Sequence, residues 1–379
     1  MGMIYADNAA TTRLSDAALE AMLPYLREEY GNASTLYKLG RSAHKAIEDA
    51  RGVFARGINA MPAEIYFTSG GSESDNWAIK GTARRLAVQG KRHIVTDNIE
   101  HHAVLNSAKA LENEGFDVTY IKADANGVIH AEDVKAAIRP DTALVSVMFA
   151  NNELGTIQPI AEIGRVCREA GVLFHCDAVQ AAGILPIDVK AMGIDLLSVS
   201  AHKFHGPKGV GVLYARRGCV PTVYIDGGEQ ERGHRAGTEN VAGIVGAATA
   251  FSETVEERED KTLRLASMRD RLQAELLKIP GSQVNGGSVP RLPGTLNMSF
   301  EGVDGQSLIF ALDLKGVAVS SGSACASGSV SPSHVLLALG LPYLLAHGSL
   351  RLSLGKYNTD DEIDEIVRAV TDAVNKLRG

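Results

Sequence analysis

Cysteine, basic charge and long apolar runs are all in short supply in this sequence, and each shortage excludes a class of protein. Its four cysteines, Cys167, Cys176, Cys219 and Cys325, stand too far apart for C-x-x-C metal knuckles. They are also too few for a disulfide framework in a chain of 379 residues, so reduced thiols and a cytoplasmic setting are expected. Lys and Arg number 38 against 45 Asp and Glu, a net charge of −7, with no basic block. The electrostatic footprint of a nucleic-acid or anionic-membrane binder is therefore missing. No stretch approaches the roughly 18 apolar residues of a membrane span, and the opening MGMIYADNAATTRLSD has neither the basic nor the apolar region of an export signal. G-x-G-x-x-G and G-x-x-x-x-G-K-[ST] are both absent, which leaves dinucleotide and nucleoside-triphosphate readings without their fingerprints.

What is present is ordinary globular composition, 45% hydrophobic and 22% charged. The length suits two or three domains at roughly 150 residues each. From Glu64 to about Tyr214, β-rich runs (EIYFT, HIVTD, DVTYI, ALVSVMFA, VLFHCDA, DLLSVS, VGVLYAR) alternate with helical segments such as AEIGRVCREAG, the pattern of an α/β fold around a mainly parallel sheet. Glycines that follow the helical segments predict left-handed C-terminal caps. Ligands in such folds collect at the carboxyl ends of the strands. Beyond Thr238 the charge run ETVEEREDKTLRLASMRDRL predicts a long, solvated connecting helix. Short strands (TLNMSF, VAVSS, LRLSL) and the amphipathic DDEIDEIVRAVTDAVNKL then predict a smaller α+β unit.

Several residues on this frame carry chemistry. Lys203, in SAHKFHGPKG, follows a strand that should be buried. It is either a snorkelling surface lysine or an amine kept inside for Schiff-base chemistry. Asp177 ends the strand VLFHCDA, where a carboxylate faces the ligand crevice or caps a helix. A pyridoxal-phosphate site needs this pair, an aspartate for the pyridinium nitrogen and a lysine for the aldehyde, with Gln180 available to the phenolic oxygen. FTSGGSESDN offers a Gly70-Gly71 turn, Ser72 and a helix start, which is an anion site or an ordinary capping turn of Ser72 with Asp75. Ser200 and His202 are further phosphate donors. His101 can stack on a planar cofactor and shuttle protons, or simply be solvated. His175, Asp177, His202 and His205 include metal-ligand types, but no strong zinc spacing, so no metal is assigned. Cys325 differs from the other cysteines: Ser and Gly flank it in SSGSACASGS, where a thiol without a use would be a liability, so a nucleophilic role is favoured. Arg351 interrupts the apolar LRLSL and needs a carboxylate, either a structural partner or that of a substrate.

With these motifs in order, from YADNAATT, GNAST and FTSGGSESDN through NIEHHAVL, ANNELGT, FHCDAVQ, SAHKFHGPKGVG and ERGHRAGTEN to SSGSACASGS and AHGSLRLSLG, the sequence resembles the pyridoxal-phosphate cysteine desulfurases of the nitrogen-fixation and iron-sulfur-assembly type, within the class-V aminotransferases. The resemblance implies a fold-type-I transferase. Residues 15–257 would form a large cofactor-binding domain with a seven-stranded sheet, and 1–14 with 258–379 a small domain carrying the cysteine loop. It implies Lys203 as the cofactor-linked lysine, Asp177 on the pyridine nitrogen, Gln180 on the hydroxyl and His101 on the ring. Gly71, Ser72, Ser200 and His202 would hold the phosphate, with Thr238 reaching in from the second subunit of a homodimer. Asn152 would touch the cofactor, Asn32 and Arg351 the substrate carboxylate, and Cys325 would carry the persulfide.

The implied reaction converts L-cysteine to L-alanine and passes sulfur to an iron-sulfur scaffold or another acceptor. Ser72 and Ala326 stand where threonine is common in the family, and neither departure touches the chemistry. The end at Gly379 lacks the longer tail some members use for docking a scaffold, which leaves the acceptor open. An aminotransferase or selenocysteine lyase is the alternative within the same cofactor class; Cys325 speaks against transamination, which needs no thiol. A metal hydrolase on His175, Asp177, His202 and His205, and a scaffold without catalysis, are the others.

Overall fold

The computed structural model describes residues 2–321 and 331–379. After a short strand β1 (Ile4–Tyr5), the seven predicted runs form strands β2 (Ile65–Thr68), β3 (His93–Asp97), β4 (Asp117–Ile121), β5 (Thr142–Ser146), β6 (Leu173–Asp177), β7 (Leu196–Ser200) and β8 (Gly211–Ala215). They make one sheet in the order β2-β8-β7-β6-β5-β3-β4. β8 is antiparallel to both of its neighbours, and the other pairs are parallel. Covering the sheet on both faces demands strands that are apolar on both sides, and β3, β5, β7 and β8 are buried along their whole length. β4 at the edge starts with the exposed Asp117 and is only partly covered. The parallel strands bring Asp97, Ser146, Asp177 and Ser200 to a common carboxyl edge. The expected left-handed cap is seen at Gly171, with φ 65°, after the helix Ile160–Ala170.

Two expectations change in detail. The run ALVSVMFA is strand only as far as Ser146, although Val147 N–H and Phe149 N–H go on to bond His175 O and Asp177 O of β6 at 3.1 and 2.8 Å. The long charged helix is two helices, Val241–Glu256 and Arg258–Leu276, which meet at Glu257. The junction changes cores: Phe251 packs in the large apolar cluster, whereas Leu265 belongs to a second one. That second cluster is built on the antiparallel strands β9 (Ser282–Val284), β10 (Thr295–Phe300) and β12 (Ser349–Ser353), the pair β1 with β11 (Val317–Ala318), and the helix Asp360–Arg378. Ile4 and Ala6 belong to it, whereas Val335, Leu336, Leu339 and Ala346 pack into the large cluster.

One loop is held against its own backbone preference. Glu231 and Arg232 have φ 45° and 59°, a region that costs a non-glycine residue about 1–2 kcal/mol. Glu231 is clamped by the buried Arg51, whose Nη1 lies 2.8 Å from Oε2, and it also accepts Phe67 N–H at 3.0 Å. Arg232 lies over the Tyr66 ring at 4.9 Å. Removing one partner of a buried ion pair leaves an uncompensated charge, so Arg51→Ala is expected to lower the urea unfolding free energy by about 3–5 kcal/mol. A loss under about 1 kcal/mol, the value of an exposed pair, would contradict this reading.

Candidate active site

At the carboxyl ends of β5, β6 and β7 lies a cavity of about 290 Å³. Gly71, Ser72, His101, Asn152, Asp177, Gln180, Ser200, His202, Lys203 and Arg351 line it together. Of the remaining candidates, Asn32 is exposed elsewhere, its Oδ1 accepting Ser34 N–H at 2.9 Å. Thr238 is exposed on the loop after Glu231 and does not line this chain's cavity. Cys325 lies outside the described residues. The other three cysteines are buried, and burial pushes the Cys167 thiol up to about 12.

Lys203 ends the short turn Ala201–Lys203 that follows β7, half-buried, and its Nζ donates to Ala9 O at 2.5 Å and Ala10 O at 2.8 Å. Gln180 Nε2 reaches the same Ala9 carbonyl at 3.0 Å. Thr11 Oγ1 lies 3.0 Å from His202 Nδ1, so the N-terminal segment forms a wall of the cavity. Two backbone carbonyls suit an ammonium group, and they hold the amine inside. This favours the inward reading of the lysine.

Asp177 turns back on its own chain, Oδ1 accepting Val179 N–H at 2.9 Å, and no helix follows it to be capped. Burial pushes its carboxyl up to about 6, with the Lys203 charge pulling the other way. Asp75, Asp97 and Glu100 are buried as well. Burial and the neighbouring carboxylates raise Asp75 and Glu100 well above the usual range, and burial lifts Asp97 to about 7. Asp75 lines the cavity and lies 3.6 Å from His175 Nε2. His175 uses both ring nitrogens on Ser146 Oγ and Ser198 Oγ, at 2.9 and 3.0 Å, which takes it out of any metal-ligand set.

The capping reading of Ser72 does not hold, because the helix begins at Gly71 with Gly70 as its cap residue and Asp75 faces the cavity. Gly71 and Ser72 therefore present first-turn N–H groups, which have no partner within a helix, beside Ser200 and His202. Gly71 is required by a close approach: a β-carbon there would lie 2.7 Å from Val179 Cγ2. From the outer side, Arg235 grips Glu73 through two bonds of 2.7 and 3.1 Å, and Glu73 accepts Ser69 N–H at 2.8 Å. Arg351 has the expected carboxylate partner, Asp7 at 2.8 Å, and donates to Asn152 O at 2.9 Å.

Asp75 and Glu100 lie in FTSGGSESDN and NIEHHAVL; Glu100, three residues past the end of β3, carries the signal of a carboxylate at a strand end, and Asp75, within a helix, carries none. Ala9 and Ala10 gave no signal, since only their carbonyls act.

His101 caps the helix His102–Glu112, its Nδ1 accepting Ala103 N–H at 3.1 Å, which leaves the proton on Nε2 in the neutral ring. Burial, reinforced by the Lys203 charge, lowers it to about 4, and burial lowers His175 to about 3. A histidine lowered in this way contributes stability that is complete above about pH 6.5 and is lost as pH falls toward the folded value. NMR titration with labelled histidine is expected to show both rings neutral at pH 5.5, where a free imidazole is mostly charged. Titration of either near 6.5 would contradict the burial argument.

Comparison with known proteins agrees with this geometry. Residues 4–366 match the class-V aminotransferase family. A cysteine desulfurase IscS from Methanosarcina thermophila is 51% identical over 375 residues, covering 99% of this chain and 93% of that one. A solved NifS-like protein superposes with a TM-score of 0.93 at 40% identity, covering 99% of this chain and all of the other. A structure described as SspA in complex with cysteine gives 0.83 at 40% identity, over 94% of this chain and 100% of that one. A match over nearly the whole length, with the same mainly parallel sheet, places the chain in the class-V aminotransferase family, among its cysteine desulfurases.

Proposed function

We propose that the cavity binds pyridoxal 5′-phosphate and that the enzyme converts L-cysteine and the Cys325 thiol into L-alanine and a Cys325 persulfide. One observation carries the reading: an amine, a buried carboxylate and an anion cradle converge in a single cavity. The residues fit the cofactor. Helix N–H groups with Ser72, Ser200 and His202 suit its phosphate, Asp177 suits a protonated ring nitrogen, and Lys203 suits the aldehyde. When bound, the cofactor supplies an electron sink for charge developing at the substrate α-carbon.

The chain's own groups then have definite tasks. Lys203 moves the α-proton, and Asp177, raised to about 6 by burial, gives up its own proton readily once a cation faces it. His101, neutral with Nδ1 engaged, offers Nε2 for proton transfer. Arg351, fixed by Asp7 and Asn152 O, takes the substrate carboxylate. Asn32 would assist it. The two apolar clusters support a division into 15–257 and 1–14 with 258–379 through Ile4, Ala6 and the change of core after Glu257, while Val335, Leu336, Leu339 and Ala346 cross it to join the large cluster. A homodimer sharing Thr238, an iron-sulfur scaffold as sulfur acceptor and a cytoplasmic setting complete the reading. Among the described residues no helix is long and apolar enough to cross a membrane.

Lys203→Ala is expected to abolish alanine and sulfide release from L-cysteine and to remove the borohydride-reducible link to protein. A reduced peptide map that placed the cofactor on Lys208 would overturn the assignment. Cys325→Ser is expected to keep the visible spectrum and substrate binding but lose the persulfide and most sulfide release. Sulfide yield near wild type would instead favour a simple lyase.

A further inference from the structure

Shortly after Cys325, Ser333 and His334 are tied into the cavity wall. Ser333, 4% exposed, accepts Val335 N–H at 3.0 Å and Leu336 N–H at 3.4 Å, capping the helix His334–Ala338. Its remaining capacity is one O–H donor, and the hydroxyl is bonded to Glu153 Oε2. Glu153, 3% exposed, stands on a braced turn: Asn151 Oδ1 accepts both Glu153 N–H and Leu154 N–H at 2.9 Å. The same turn provides Asn152, whose carbonyl holds Arg351. His334 adds a second attachment, with Nε2 at 3.1 Å from Glu100 O and its ring 4.7 Å from that of His102, the two residues flanking His101. On the other side of Cys325, Ser320 exchanges both backbone bonds with Arg351.

Capping alone would explain the Ser333 acceptor bonds, but it does not explain why the donor is spent on a buried acid beside the cavity. A helix of five residues cannot hold its own place. We infer that Glu153 is a positioning residue for sulfur transfer: through Ser333 it fixes the helix His334–Ala338, downstream of Cys325, against the turn bearing Asn152, whose carbonyl holds Arg351. The inference rests on the proposed role of Cys325 as sulfur acceptor.

The test is single-turnover persulfide formation on Cys325, followed by mass spectrometry in the cofactor-loaded enzyme, with L-cysteine affinity read separately from the absorption spectrum. Glu153→Ala, which leaves the helix cap intact, and Ser333→Ala are each expected to slow persulfide formation about five- to tenfold, the scale of one hydrogen bond. L-cysteine affinity should stay within about twofold of wild type, in keeping with a lost contact that the substrate does not make. Glu153→Gln keeps an acceptor oxygen and Ser333→Thr keeps the hydroxyl, and both are expected to retain the wild-type rate. If Ser333→Ala fails to fold, Glu153→Ala decides alone. A wild-type persulfide rate in Glu153→Ala, or a fall in affinity as large as the fall in rate, overturns the positioning role. If Cys325→Ala still makes persulfide, the acceptor reading has failed instead.

Discussion

The site depends on where residues 7–12 run. This segment leaves β1 in the smaller core and passes across the carboxyl edge of the large sheet, so that two alanine carbonyls meet Lys203, one of them also meeting Gln180. Asp7 holds Arg351, and Thr11 and Thr12 hold the side chain and the backbone carbonyl of His202. Four cavity residues from three distant parts of the chain are thus placed by one stretch of backbone. Shifting it would misplace Lys203, Gln180, Arg351 and His202 together.

The second determinant is the shortage of compensating charge beneath the cavity. Asp75, Asp97, Glu100 and Asp177 share a nearly water-free region with a neutral His175, and Lys203 is the cation acting on Asp177. Like charges in a poorly solvated region repel strongly, and burial together with the neighbouring carboxylates raises Asp75 and Glu100, whereas the Lys203 charge acts on Asp177.

Much of this was legible in the sequence because period and chemistry coincided there. All seven β-rich runs became strands, and ten of the candidate residues meet in one cavity, most of them at or after a strand end or a glycine turn, with Arg351 inside a strand. Ala9 and Ala10 could not be read, because a carbonyl carries no side-chain signature. The capping alternative for Ser72 and Asp75 could not be decided from the sequence, because local spacing says nothing about which face of a helix turns toward a neighbouring strand. The boundary expected at 257 coincides with the change of core, but the break of the helix there has no sequence signal, because charge patterning runs on across it. Val335 and Leu336 join the large core although they lie late in the chain, a long-range contact that no local pattern encodes.

The left-handed pair Glu231 and Arg232 has a consequence outside its own loop. Arg51 and Tyr66 hold the loop from below, and Arg235 bolts it to Glu73 and so to the turn that starts at Ser69. Thr238 therefore sits at the exposed end of a segment whose shape is settled in advance. A surface that is already ordered loses little conformational freedom when something docks on it. The loop also makes a short mechanical path, two ion pairs and one strand end long, between whatever touches that corner and the first turn of the helix at Gly71.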